Sequence, residues 1–153
     1  MKGLTSPPEH RRGRRASIRK PRLADAESLQ WRVEAPEIAE WTLHIPHPYP
    51  NGGARRFLRR CFQEWARGRS YTYAIVPNDT EEAVGLISLT HVSPAHGCAE
   101  VGYWVGKDQW GRGLATEAVG LVVEVAFSDL GLYRVYASLF EANSASRRVL
   151  EAN

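Results

Sequence analysis

The stretch YWVGKDQWGRGLATEAVGLVVEVAF, Tyr103 to Phe127, decides how this chain folds. It opens on an alternating apolar run, passes through a loop holding Gly111 and Gly113, and ends in a helical pattern from about Ala115 to Phe127. In that helix Ala115, Ala118, Val119, Val122 and Ala126 form an apolar stripe, with Thr116, Glu117 and Glu124 facing out. Two glycines ahead of a helix leave the backbone free of Cβ atoms, so successive amides can converge on one bound group. The first helical turn adds its own unpaired N–H groups and the positive end of the helix dipole, a combination that suits phosphate. Three readings of the loop stand at this point: a plain strand-to-helix turn, a phosphate cradle, or a worn dinucleotide fingerprint. No Gly-Lys-Ser/Thr follows, which excludes a Walker A loop, and Gly106 to Trp110 intervene between strand and glycines, which fits a dinucleotide fingerprint poorly.

Outward from this stretch, strands and helices alternate. ASIRKPRLADAESLQWRV reads as a short first strand and a helix capped near Asp25. TLHIPHPYPNGG holds three prolines and two glycines, so it is a loop, and its apolar residues imply that it packs over something. From Ala54 to Arg67, Phe57, Leu58, Cys61, Phe62 and Trp65 recur at helical spacing, with arginines on an opposite face expected to be solvated. SYTYAIV and AVGLISLTH flank PNDTEE as an antiparallel hairpin, with Tyr71, Tyr73 and Ile75 on one face. AEVGYWV follows, then the glycine loop and its helix, a strand YRVYASLF and a last helical piece SASRRVLEAN. Hairpins first and a strand-helix-strand crossover later specify an α+β, mixed α/β sheet with at least one parallel pair.

At 153 residues and 43% hydrophobic, the chain suits one domain with a core. No apolar run approaches membrane-spanning length and no signal-peptide pattern follows the basic N-terminus, so a cytoplasmic protein without membrane contact is expected. Cys61 and Cys98 lack a CxxC partner and read as reduced thiols. The formal charge of +3 is unevenly spread: residues 1 to 22 carry eight Lys or Arg against Glu9, and the remainder 12 against 16 acids. The basicity therefore reads as a disordered tail over residues 1–16, ahead of a single domain over 17–153, and the acidic body favours a cationic ligand. Specific nucleic-acid binding is not expected, because the body has no basic patch with interleaved aromatics. His44 and His47 lie in the proline-rich loop and His91 and His96 flank a second loop, none at metal-ligand spacing, so no metal is expected.

WGRGLA, Trp110 to Ala115, resembles the Q/R-x-x-G-x-G/A coenzyme loop of the GNAT superfamily of acetyl-CoA-dependent N-acetyltransferases, with Trp110 replacing the Gln or Arg. AEVGYWV, RVYASLFEANSASRRVLEAN, RLADAESL and IPHPYPNGGARRFL extend the resemblance to the branch holding the RimJ and RimL type enzymes, from about Ile18 to the last residue. The resemblance implies a mixed, mostly antiparallel sheet flanked by helices, with a coenzyme A cleft between its fourth and fifth strands. It implies that the amides of Gly111, Arg112, Gly113, Leu114, Ala115 and Thr116 hold the pyrophosphate of acetyl-CoA, and that the strand ending at Val105 pairs with the pantetheine arm. Asn143 matches the asparagine that contacts pantetheine, and Arg148 either reaches a coenzyme phosphate or is a surface arginine.

Acetyl transfer to an amine needs an acceptor for the amine proton, and Glu100 is the candidate. Alternation sets Glu100, Gly102 and Trp104 on one strand face, with Gly102 leaving room for a substrate beside the carboxylate; the competing reading is a glutamate that only decorates a strand end. The branch places the proline-rich loop over the acceptor. The family continues past RRVLEAN with Gly-Phe and two further strands, which commonly supply a general acid for the thiolate. Their absence here implies truncation, completion by a second chain, or a coenzyme-binding remnant. The expected function is acetyl transfer from acetyl-CoA to a primary amine, a protein N-terminus or a small molecule, by direct attack in a ternary complex. The alternatives are a catalytically impaired acyl-CoA-binding or interaction domain and, third, a dinucleotide-binding protein; a homodimer is also compatible with the resemblance.

Overall fold

The computed structural model describes residues 6–40, 42, 45–137 and 144–153, the backbone alone for 144–147. The alternating runs pair into one six-stranded sheet in chain order. Its strands are β1 (His10–Arg12), β2 (Ala16–Arg19), β3 (Tyr71–Pro77), β4 (Gly85–Ser93), β5 (Cys98–Val105) and β6 (Arg134–Tyr136). Every neighbouring pair is antiparallel except β5 and β6, which run parallel as the crossover through a helix requires. The helices are α1 (Ala26–Val33), α2 (Pro36–Glu40), α3 (Gly53–Ala66), α4 (Leu114–Glu124) and α5 (Ser144–Glu151).

The two-residue period of the strands distributes the core over both faces of the sheet. Tyr73, Ile75, Ile87, Leu89, Val101 and Val105 turn one way and meet Ala118, Val119 and Val122 of α4. Ala74, Val76 and Leu86 turn the other way, onto Leu29 of α1 and Ala54 and Leu58 of α3. Helix α4 begins one residue before the expected Ala115, and its end widens into a π-type turn over Val125–Asp129.

Three sequence expectations need correction. The basic segment assigned to a disordered tail contains β1, because its charges find distant partners. Arg11 pairs with Asp129 at 2.6 Å and Glu124 at 3.3 Å, and the Tyr73 hydroxyl donates to Pro8 O at 2.7 Å. Glu117 does not simply face out: its carboxylate accepts the backbone N–H groups of Arg15 and Ala16, fastening the β1–β2 turn to the first turn of α4. Asp25 makes no side-chain cap on α1; it accepts from the Arg22 N–H at 2.8 Å and, through both oxygens, from the Arg19 guanidinium.

A buried cation ties α1 to the end of β5. The Arg32 side chain is 4% exposed, and its guanidinium donates to Asp108, to Glu82 and to Ser28 O. Gly106 makes this possible, since a Cβ there would stand 2.6 Å from Arg32 Cδ. Burial pushes the Asp108 carboxyl up, but the Arg32 hydrogen bonds outweigh it and hold the group below the ordinary aspartate range. Arg32→Met should therefore lower the unfolding free energy by about 2 kcal/mol at neutral pH, read as a fall in the urea midpoint at unchanged slope. A carboxyl depressed in the folded chain stabilises above its unfolded pKa, about 4, and loses that contribution as pH falls through the folded value. The gap between variant and wild type should accordingly narrow in acid; a gap that is constant from pH 7 to pH 3 would show that the ion pair contributes nothing.

Candidate active site

Gly111 and Gly113 carry φ of +84° and +74°, a region that side chains with a Cβ rarely enter. With this geometry the loop stays open. A Cβ on Gly111 would meet nothing within 4 Å, and one on Gly113 would meet only Arg15 Nη1 at 3.4 Å. The amides of Gly111, Arg112, Gly113, Leu114, Ala115 and Thr116 have no acceptor among the described residues; the first N–H of α4 engaged on the protein is that of Glu117, on Gly113 O at 3.2 Å. Six successive N–H groups at the positive end of α4 are a fit for phosphate oxygens. Trp110 has a structural part here: its indole N–H donates to Val105 O at 2.8 Å and closes the turn that presents the glycines. Arg15, brought over Gly113 by the docked β1–β2 turn, is the basic group at the loop that sequence reasoning missed.

From the loop, β5 leads back toward Glu100. Gly106 N–H donates to Val84 O, and with the register of β4 this turns the N–H and C=O groups of Val101, Tyr103 and Val105 away from β4. On that side β6 pairs only with Cys98, Ala99 and Glu100, so among the described residues β5 has no strand neighbour beyond Glu100. Among the described residues this matches the splay expected between the fourth and fifth strands, which are β5 and β6 here because the β1 strand adds one to the count. Glu100 to Val105 spans about 17 Å at strand rise, on the scale of an extended pantetheine arm. One expectation is narrowed: the Val105 carbonyl already accepts from Trp110, which leaves the Val105 N–H as its group toward the open edge.

Glu100, Gly102 and Trp104 share a face, as alternation requires, and line a cavity of about 560 Å³ beneath α3 and the loop carrying Ile45, Pro46 and Tyr49. The proline-rich loop thus packs over the Glu100 face. The glycine loop lies outside this cavity, past the other end of β5. A Cβ on Gly102 would meet nothing within 4 Å, so the space beside the carboxylate exists. Ala137, after β6, and Leu150 of α5, which packs on the α4 side of the sheet, line the same cavity, so it passes through the splay.

Glu100 has a partner that sequence spacing does not reveal. His91 Nδ1 stands 3.1 Å from Glu100 Oε2, with the imidazole side chain 75% exposed and the carboxylate 24%. A β-bulge between Thr90 and Ser93 opposes two residues of β4 to one of β5, and His91 sits in it at φ +50°. Without the extra residue, His91 would point to the opposite face from Thr90 and Glu100.

The remaining expected residues fall as follows. The Arg112 guanidinium is drawn to Asp79 at 3.0 Å and to Gln109, so the amide is the group of this residue that faces the loop without a partner among the described residues. Thr116 offers its amide while its carbonyl accepts from Asn153 Nδ2 at 3.1 Å. Arg148 is exposed on α5 with no hydrogen bond or ion pair to the loop among the described residues. Asn143 and His44 lie outside the described residues. Cys61 and Cys98 are free, and burial pushes the Cys61 thiol up. Among the described residues no group of three or more His, Cys, Asp or Glu is placed to hold a metal ion, and no helix is long and apolar enough to cross a membrane.

An open amide loop at one end of a strand and a carboxylate in a cavity at the other have the chemistry to receive a phosphate group and a proton donor, respectively. The family model described as the acetyltransferase (GNAT) domain matches residues 15–153, and the chain belongs to that family. It is 28% identical over 138 residues to the N-acetyltransferase p20 of Bacillus licheniformis, a match covering 90% of this chain and 77% of the relative. RimJ of Mycobacterium smegmatis, solved in complex with CoA-disulfide, superposes with a TM-score of 0.80 at 24% identity over 89% of this chain and 68% of its own. The ribosomal-protein-S5-alanine acetyltransferase of Vibrio fischeri superposes with a TM-score of 0.78 at 19% identity, over 94% of this chain and 80% of its own. At those identities the two superpositions speak for the fold.

Proposed function

We propose that this chain moves the acetyl group of acetyl-CoA to a primary amine by direct attack within a ternary complex. The observation that carries the reading is the run of six unengaged amides at the start of α4, one strand length from a carboxylate that faces a cavity. Acetyl-CoA supplies the activated thioester carbonyl. The amides of Gly111 to Thr116 and the Arg15 guanidinium hold its phosphates, and the open edge of β5 orients its arm toward Glu100. Glu100 takes the proton from the attacking amine as the new C–N bond forms and the C–S bond breaks, the electron pair leaving with the sulfur. His91 orients that carboxylate, and its exposed ring offers the proton a way to solvent. The cavity over Gly102 receives the amine.

Saturating acetyl-CoA should raise the Tm by roughly 5 °C or more, as mass action at about 100 times Kd predicts for a domain of this size, and NAD should not. Thiol release should then depend on an added primary amine. A shift with NAD alone would replace this reading by a dinucleotide site, and binding without thiol release from any amine would leave a carrier-binding domain.

A further inference from the structure

The arginine face of α3, which a helical wheel hands to solvent, is partly the wall of the amine cavity. Arg56 and Arg60, one turn apart, both line the cavity that holds Glu100. Neither has a carboxylate partner among the described residues, whereas Arg11, Arg19, Arg32, Arg69 and Arg112 all do. Tyr49 reports their proximity: burial raises its phenol pKa, and the charges of Arg56 and Arg60 act on it in the opposite direction. Glu100 is the only acid among the described lining residues, and His91 is set against it. The described part of the wall is therefore electropositive although residues 23 to 153 are acidic in sum.

We infer that the amine substrate carries a carboxylate, placed to meet Arg56 and Arg60 while its nitrogen lies at Glu100. This rests on the acetyltransferase reading for the position of the nitrogen, but not for the charge preference. The cavity of about 560 Å³, part of which passes through the splay, is roughly 8 to 10 Å across, so its share over Gly102 holds at most about two to three residues of extended backbone. A peptide whose second or third residue is Asp or Glu has this form, as does a small acid with its amine at that distance. A polyamine has the opposite charge at the arginines and is selected against, which reverses the expectation drawn from the overall acidity of the chain.

The test is calorimetric titration of the full chain with Ala-Asp-Glu-amide, Ala-Lys-Lys-amide, 6-aminohexanoate and spermidine, with coenzyme A present. The acidic peptide should bind about 10-fold or more tightly than the lysine peptide, a difference that shrinks with salt, and spermidine should bind more weakly than either acidic ligand. Preference for the acidic peptide over 6-aminohexanoate assigns the site to chain N-termini, and the reverse assigns it to small acids; both support the carboxylate. Arg56→Glu with Arg60→Glu should invert the peptide ranking, and the milder pair Arg56→Gln with Arg60→Gln should abolish it. Equal or lysine-favouring affinity in the wild type overturns the inference, as does an unchanged ranking in both variants. Failure of acetyl-CoA to bind in a separate titration would sink the acetyltransferase reading instead, while the peptide ranking still reports on the two arginines.

Discussion

Glu100→Gln is expected to lower kcat by roughly 10²- to 10⁴-fold while leaving the Kd for acetyl-CoA within about two-fold of the wild type. The substitution keeps the volume of a side chain that is 24% exposed in the wild type, so the cavity and its Gly102 floor should persist. The carboxamide removes only the group proposed to take the amine proton. Coenzyme affinity should hold because the glycine loop lies outside the cavity, about 17 Å along β5. A pH profile separates this role from a structural one: the variant should recover activity as pH rises, because a larger fraction of the amine then arrives already deprotonated. Full activity in the variant at pH 7 would remove Glu100 from the reaction, and a collapse of coenzyme affinity would recast it as a structural residue.

Gly113→Val should weaken acetyl-CoA binding by about 10²-fold, the loss of one or two amide hydrogen bonds to charged phosphate oxygens. The added side chain would project into the space left by the open turn, next to Arg15, where a phosphate has to approach. A second cost comes with it, because Gly113 holds φ at +74° and valine resists that region, by about 1 to 2 kcal/mol. Gly131 separates the two costs. It holds φ at +67°, a Cβ there would meet nothing within 4 Å, and it lies beyond the far end of α4. Gly131→Val should lower the Tm to a similar degree and leave coenzyme affinity alone. Equal affinity in Gly113→Val and wild type would mean that the pyrophosphate sits elsewhere.

Most of the sheet and the two ends of the site were legible in sequence for a physical reason: both rest on local periodicity. Two-residue alternation set Glu100, Gly102 and Trp104 on one face, and the same rule sorted Tyr71, Tyr73 and Ile75 into the core against α4. Two glycines before an apolar helix marked the amide loop. What sequence hid depends on contacts between residues far apart in the chain. β1 is three basic residues, His10 to Arg12, that exist as a strand because Arg11 finds Asp129 and Glu124, more than a hundred positions away. Arg32 looks like an ordinary helix-surface arginine until Asp108 and Glu82 enclose it. His91 reaches Glu100 through one extra residue in β4, and no spacing rule announces a bulge. Arg56 and Arg60 are exposed, as a helical wheel expects, but periodicity carries no knowledge of the proline-rich loop beside them and so does not show that they also line the cavity.

The passage left where β6 parts from β5 has a consequence for traffic. A sheet is normally a wall between two compartments of a domain; among the described residues this one has a doorway, bordered by α3 on one face and by α5 on the side of α4. In the proposed reaction the two reactants would have separate entrances, neither would need to vacate the protein for the other to arrive, and the order of loading would be left to their relative concentrations. They would meet within the thickness of a single strand layer.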